Sequence, residues 1–182
     1  MTSGVERPPT FNLVVRALYF RQGALLVSRW RGSYCFPVGG RIEPGESLEQ
    51  AVHREFEEET GAQARLLRLV YFHENFFGHG PSAGVHELGW YFWAEADRTI
   101  GRPGSSAPHP DAEKLTLEYV PLDRLAESDL RPPFLADYLP ADFASGFSTW
   151  PRHLLTAPAE NGGSVTREVK SGSRSPSPRP TG

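Results

Sequence analysis

The sequence predicts an α/β domain, on three observations. The runs FNLVVRALYF, ALLVSRW, ARLLRLVYFHENFF and HELGWYFWAEA are rich in branched and aromatic residues and read as strands. A single segment between the second and third runs carries helix signals at both ends. Beyond them, LTLEYV reads as a shorter strand, followed by a short helix near Leu122–Ala126.

Each element has a local cause. Residues 1–9 are polar and proline-bearing, a flexible arm. The first two strands are joined by RQG, which makes a hairpin. RGSYCFPVGGRIEPGE is punctuated by Pro37, Gly39, Gly40, Pro44 and Gly45 and reads as loop. Ser47 with Gln50 three residues on forms a capping box, and Gly61 supplies the C-terminal stop, which brackets a helix. A Gly-rich gap at 78–84 separates the next two strands, and a long polar loop spans Asp97–Lys114. A last helical turn or two follows Pro133. These elements set the domain at 10–156. From Ala157 to Gly182 the chain offers two valines and no larger aliphatic or aromatic residue, so a disordered Ser/Pro/Arg-rich tail is expected at 157–182.

At 182 residues and 38% hydrophobic, the chain has material for one core. A net charge of −3 argues against a nucleic-acid polymer or a membrane surface as partner. Cys35 is alone, which excludes an internal disulfide and fits a reducing compartment. The start lacks the basic-then-apolar pattern of a signal peptide, and the longest apolar run is broken by Arg16. A cytoplasmic protein is expected.

The acidity is local. Between Gly40 and Ala62 stand seven acids and two bases, more negative than the whole chain. Three consecutive glutamates, Glu57, Glu58 and Glu59, close the helix at its C-terminal end, where the helix dipole favours cations. With Glu55 set at 0°, Glu59 falls at about 40° and Glu58 at about −60°, on the stripe that carries Leu48, Ala51, Val52 and Phe56. Gln50, His53 and Glu57 fall on the other side and are expected to face water. Inward carboxylates repel one another and lose hydration unless paired or bound to metal. Arg54 cannot balance three, whereas Mg²⁺ or Mn²⁺ prefers carboxylate oxygens.

GRIEPGESLEQAVHREFEEETGA resembles the signature of the Nudix hydrolases: glycine, five residues, glutamate, seven residues, then Arg-Glu-apolar-any-Glu-Glu-any-Gly-apolar. Gly40, Glu46, Arg54, Glu55, Phe56, Glu58, Glu59, Gly61 and Ala62 fill its slots. The order of the flanking elements resembles the family over about residues 10–140. One departure precedes the motif: many members carry proline directly before the two glycines, and here Val38 intervenes.

The resemblance implies a Nudix fold, an α/β/α sandwich with a mixed β-sheet and a loop–helix–loop metal site. It implies hydrolysis of a pyrophosphate bond in a nucleoside diphosphate linked to another moiety X, by metal-activated water, with Mg²⁺ or Mn²⁺ as cofactor. By that analogy Glu55, Glu58, Glu59 and the Gly40 carbonyl are the metal ligands, and Arg54 with Glu46 orients the catalytic carboxylates. The general base is a box glutamate or a carboxylate outside the box, with Glu87 ahead of Glu113 and Glu118. Arg29 and Arg41 flank the loop and are candidates for phosphate contact, against plain surface charge. Phe76 and Phe77 are candidates for stacking a ring, against a place in the core. The partner is then a small nucleotide or diphosphate. Many relatives dimerise, so a homodimer is one assembly the resemblance allows. The specialised ADP-ribose, dinucleotide and coenzyme A markers are absent around residues 76–79. A non-catalytic nucleotide sensor of the same fold is the alternative, but it usually lacks box carboxylates that are all present here.

Overall fold

The structure is a computed structural model that describes residues 10–77, 84–101, 114–148, 151–159 and 162–170. The N-terminal arm, the gap at 78–83, Glu113 and residues 171–182 lie outside the described residues. Among the described residues, eight strands form one mixed sheet: β1 (Thr10–Arg21), β2 (Ala24–Trp30), β3 (Cys35–Pro37), β4 (Ala64–Phe76), β5 (Val85–Ala96), β6 (Leu115–Pro121), β7 (Arg152–Pro158) and β8 (Ser164–Glu168). Their order is β3-β2-β1-β5-β4-β7-β8, and β6 pairs with the other edge of β2. β1 runs parallel to β5 and β4 parallel to β7, while the remaining pairs are antiparallel.

The expected β1–β2 hairpin closes through Gln22 and Gly23, both at positive φ (50° and 75°), the backbone that a tight two-residue turn demands. β1 pairs with β2 only at its C-terminal end, Phe20 to Leu25 and Arg21 to Ala24. Its earlier half is taken by the segment around the paired glycines. Ala17 N–H donates to Val38 O (2.8 Å), Val15 N–H to Gly40 O (2.9 Å), and Ile42 N–H to Leu13 O (3.0 Å). This switch of partner seats the glycine loop against the middle of the sheet.

Two α-helices among the described residues cover opposite faces of the sheet. α1 (Leu48–Thr60) buries Ala51, Val52 and Phe56 with Val15, Ala17, Phe92 and Ala94. α2 (Phe134–Ala144) buries Phe134, Leu135 and Leu139 with Leu18, Tyr71, Tyr91 and Leu154. Each of the valine, leucine and phenylalanine side chains among them stabilises by about 1.5–3 kcal/mol when fully buried. The layers are α/β/α, as expected. The capping box at Ser47 is formed in both directions, and Gly61 takes the left-handed conformation (φ 67°) that ends α1. Val38 is fully buried in the α1-side core, so the residue that departs from the family pattern serves as packing.

Three expectations are corrected. The loop before α1 contains the short strand β3, paired to β2 through Val27, Ser28 and Arg29. The turn or two after Pro133 is an 11-residue helix with Pro140 inside it. Disorder expected from Ala157 does not hold for Ser164–Glu168, which is strand β8 paired to β7. Composition weighed only what these residues can bury. They are held instead by a backbone ladder and by polar ties: Arg152 to Glu168 (2.9 Å) and Thr156 to Thr166 (2.7 Å). Arg152 also pairs with buried Asp142 (2.8 Å), which accepts from the Tyr71 hydroxyl (2.8 Å) and anchors the hairpin beneath α2.

Candidate active site

Two glycines shape the site for different reasons. Gly39 has φ 134°, a conformation L side chains rarely adopt, and a Cβ there would collide with the Val15 carbonyl. Gly40 has no such backbone demand. A Cβ on it would lie 2.5 Å from the carboxylate carbon of Glu55. Its missing side chain is the space in which Glu55 sits, so the loop and α1 interlock through one carboxylate.

Arg54 organises the acids. Its Nε donates to Glu46 Oε2 (3.1 Å) and its Nη2 to Glu46 Oε1 (2.7 Å) and to the Arg41 carbonyl (3.0 Å). Nη1 reaches Glu55 Oε1 (2.9 Å) and Glu58 Oε2 (3.3 Å). The bonds to Arg54 hold the Glu46 carboxyl below the usual range, and Glu46 in turn raises the Arg54 guanidinium. Glu46 also accepts from the Glu43 N–H (2.6 Å), which closes the EPGE turn onto the helix.

Glu59 is different. It is 3% exposed and accepts from the Ser28 hydroxyl and from the Gly39 N–H (3.4 Å). Burial pushes its carboxyl up to about 7, despite the opposing effects of the Ser28 bond, the Arg16 charge and the Gly39 bond. No guanidinium or ammonium among the described residues donates to it.

The expected inward trio is corrected in one member. Glu59 is buried and Glu55 is 13% exposed, but Glu58 is 45% exposed and leans on Arg54 one turn back. The buried arc of α1 centres on Val52, Phe56 and Glu59, which leaves Glu58 at its rim. Glu57, His53 and Gln50 face water as expected. Among the described residues no three His, Cys, Asp or Glu side chains stand ready as a metal-holding group. Glu55 and Glu58 are turned to Arg54, and Glu59 to Ser28 and Gly39. The donors nevertheless suit a hard divalent ion: carboxylate oxygens on successive turns, one of them buried without a bonded cation.

A cleft of about 780 Å³ opens on the α2 side of the sheet. Arg16, Tyr34, Phe36, Asn75, Phe77 and Glu87 are among its lining residues. Arg16 joins it to the glycine loop, donating to Pro37 O (3.2 Å) and to Gly39 O, with its guanidinium 4.7 Å over the Phe36 ring. Glu87 is half-buried and accepts from the Asn12 amide (2.6 Å). Of the expected substrate contacts, Phe76 and Phe77 line the cleft. Arg41 is exposed, and the structure gives only its carbonyl a role, toward Arg54. Arg29 is engaged elsewhere, by Glu118 and by the Ser33 and Ser128 carbonyls, so Glu118 is tied up as well.

Sequence reasoning missed Arg16, Ser28, Asn12 and Asn75. The signal for the first two was present: each is a polar residue inside a strand-like apolar run, at a position the structure buries or half-buries. It also missed the β7–β8 hairpin, whose Thr156, Pro158 and Ser164 form one wall of the cleft.

The chain is similar to known proteins in sequence and in fold. The NUDIX domain model matches residues 10–141. A Myxococcus xanthus protein named octanoyltransferase is 34% identical over 133 residues, covering 68% of this chain and 37% of its own length. An RNA pyrophosphohydrolase of Shigella boydii is 30% identical over 117 residues, covering 56% of this chain and 66% of its own length. Both matches therefore span less than two thirds of the relative. The crystal structure of a MutT protein from Bacillus halodurans superposes with a TM-score of 0.60 at 15% identity, covering 86% of this chain and 97% of that one, a likeness of fold. On the domain match, the intact box and the sandwich that carries it, the chain belongs to the Nudix family of hydrolases.

Proposed function

We propose that this chain hydrolyses the pyrophosphate bond of a nucleoside diphosphate linked to a second moiety, with Mg²⁺ or Mn²⁺ held by Glu55, Glu58, Glu59 and the Gly40 carbonyl. Glu59 carries the reading. A carboxylate 3% exposed, with no bonded cation, is costly unless a cation completes the site. When bound, the metal supplies charge neutralisation for the pyrophosphate and lowers the pKa of a bound water.

The protein's own groups do the positioning. Arg54 holds Glu55 and Glu58 on one side and Glu46 on the other, which fixes the carboxylates before substrate arrives. Gly40 leaves Glu55 its place. Arg16 ties the loop to the cleft in which the nucleotide lies, and the aromatic walls exclude water around it. The substrate is a small nucleotide. No helix among the described residues is long and apolar enough to cross a membrane.

A panel of nucleotide sugars, dinucleoside polyphosphates, NTPs and NDPs, incubated with Mg²⁺ or Mn²⁺, tests this by phosphate or nucleotide release. Turnover is expected for at least one class, with Glu58→Gln lowering kcat by about 10²-fold or more. Near-normal turnover in that variant contradicts the assignment.

A further inference from the structure

The cleft has a direction. Arg16 and Asn12 lie four residues apart on β1, about 13 Å along a strand. Arg16 is at the end that meets the glycine loop, and Asn12 holds Glu87 at the other. A carboxylate repels phosphate, so a bound nucleotide runs its phosphates toward Arg16 and the box and its base toward Glu87. This orientation rests on the hydrolytic reading above.

What Glu87 meets there follows from its neighbours. Asn75 stands directly opposite it in the β4–β5 register, and both side chains line the cleft. The Asn12 amide takes one of the roughly four lone-pair positions of the Glu87 carboxylate and fixes its orientation. Phe77, two residues beyond Asn75, supplies a flat wall at this end on which a ring can stack, while Phe36 lies under Arg16 at the phosphate end. A flat ring on that wall presents its edge to one carboxylate and one amide.

A carboxylate accepts two parallel N–H bonds. Guanine is the base whose edge offers two adjacent donors, N1–H and N2–H, followed by the acceptor O6. Adenine and cytosine pair a donor with an acceptor, and uracil sets one N–H between two carbonyls, so each puts an acceptor against Glu87. We propose that the cleft selects a guanine nucleotide, with Glu87 accepting from N1–H and N2–H and Asn75 donating to O6. Glu87 thereby chooses the substrate, in place of the general-base role expected for it from the sequence.

The test compares GDP-, ADP-, UDP- and CDP-linked forms of one sugar with the wild-type protein, Glu87→Gln and Asn75→Asp. The wild type is expected to favour the guanine substrate in kcat/KM by about 10- to 100-fold and to lose roughly tenfold on the inosine analogue, which lacks the N2 amine. Both variants are expected to bring the guanine-to-adenine ratio toward one, mainly through KM. Hydrolysis with no guanine preference overturns the proposal. So does a Glu87→Gln defect confined to kcat and equal for all four bases, which marks a proton-transfer role, or a defect equal for all ribonucleotides and absent for their 2′-deoxy forms, which marks ribose recognition. If no substrate is cleaved, the hydrolytic reading fails instead. Equilibrium binding of GDP against ADP in EDTA then decides this proposal alone: tighter GDP supports it, and equal affinities overturn it.

Discussion

Arg54 grips Glu46 with two parallel hydrogen bonds, Nε to Oε2 at 3.1 Å and Nη2 to Oε1 at 2.7 Å, while its third nitrogen touches Glu55 at 2.9 Å. Only a planar fork makes both contacts at once. Arg54→Lys keeps the charge and loses the fork. We expect it to lower kcat by about 10- to 100-fold, as loss of a partner that orients metal ligands commonly does, with a Tm within a few degrees of wild type. Steady-state kinetics beside a thermal melt check this, and an unchanged kcat contradicts it.

Gly40→Ala separates space from backbone strain. The added methyl meets the Glu55 carboxylate at 2.5 Å and has no unusual φ to pay for. Turnover is expected to fall at least about tenfold because Glu55 is displaced. Gly45→Ala has the opposite character: a positive φ (96°) with nothing within 4 Å. It is expected to cost about 1 kcal/mol of stability, seen as a modestly lower Tm, and to spare turnover. Equal kinetic defects in the two variants go against the interlock between Gly40 and Glu55.

His73 gives the fold a dependence on pH. It is fully buried, packs 4.6 Å from the Phe134 ring, and bonds Thr156 through Nε2 (2.8 Å), while its Nδ1 has no hydrogen-bond partner among the described residues. Burial lowers its pKa to about 4. The unfolded chain, titrating near 6.5, therefore binds more protons than the folded one between those two values. Stability is complete above about pH 6.5 and is lost as pH falls toward 4. From pH 7 to pH 5 this group removes on the order of 2 kcal/mol. Urea midpoints at the two pH values are expected to differ more for the wild type than for His73→Gln, and equal differences contradict the assignment.

Truncation after Pro158 removes β8, the antiparallel ladder of backbone pairs from Leu154–Glu168 to Pro158–Ser164, and the Arg152–Glu168 and Thr156–Thr166 ties. The hairpin's contribution predicts a Tm lower by about 5 °C or more and a higher KM, because Ser164 lines the cleft. An unchanged melt and unchanged KM show that β8 contributes nothing, which is what composition alone suggested.

The α1 region was legible because its signals are local. The Ser47 and Gln50 box, the Gly61 stop and the spacing of Glu46, Arg54 and Glu55 each fix geometry within a few residues. The cleft was not legible in the same way. Asn12, Asn75 and Glu87 meet through the β1–β5 and β4–β5 registers, which join Asn12 to Glu87 across 75 residues of sequence. Glu58 was misplaced because a helical wheel gives angles but not the centre of the buried arc, and that centre is set by what Phe56 and Val52 pack against. Strand β8 was missed because its stability comes from backbone pairing, to which composition is blind.

Glu55, Glu58 and Glu59 are proposed above to bind a divalent cation. Isothermal calorimetry with Mg²⁺ and Mn²⁺, with and without a non-hydrolysable nucleotide, measures it directly. The account predicts saturable uptake by the wild-type protein, tightened by nucleotide and weakened by about tenfold or more in Glu58→Gln. No uptake of either ion, even with nucleotide present, contradicts it.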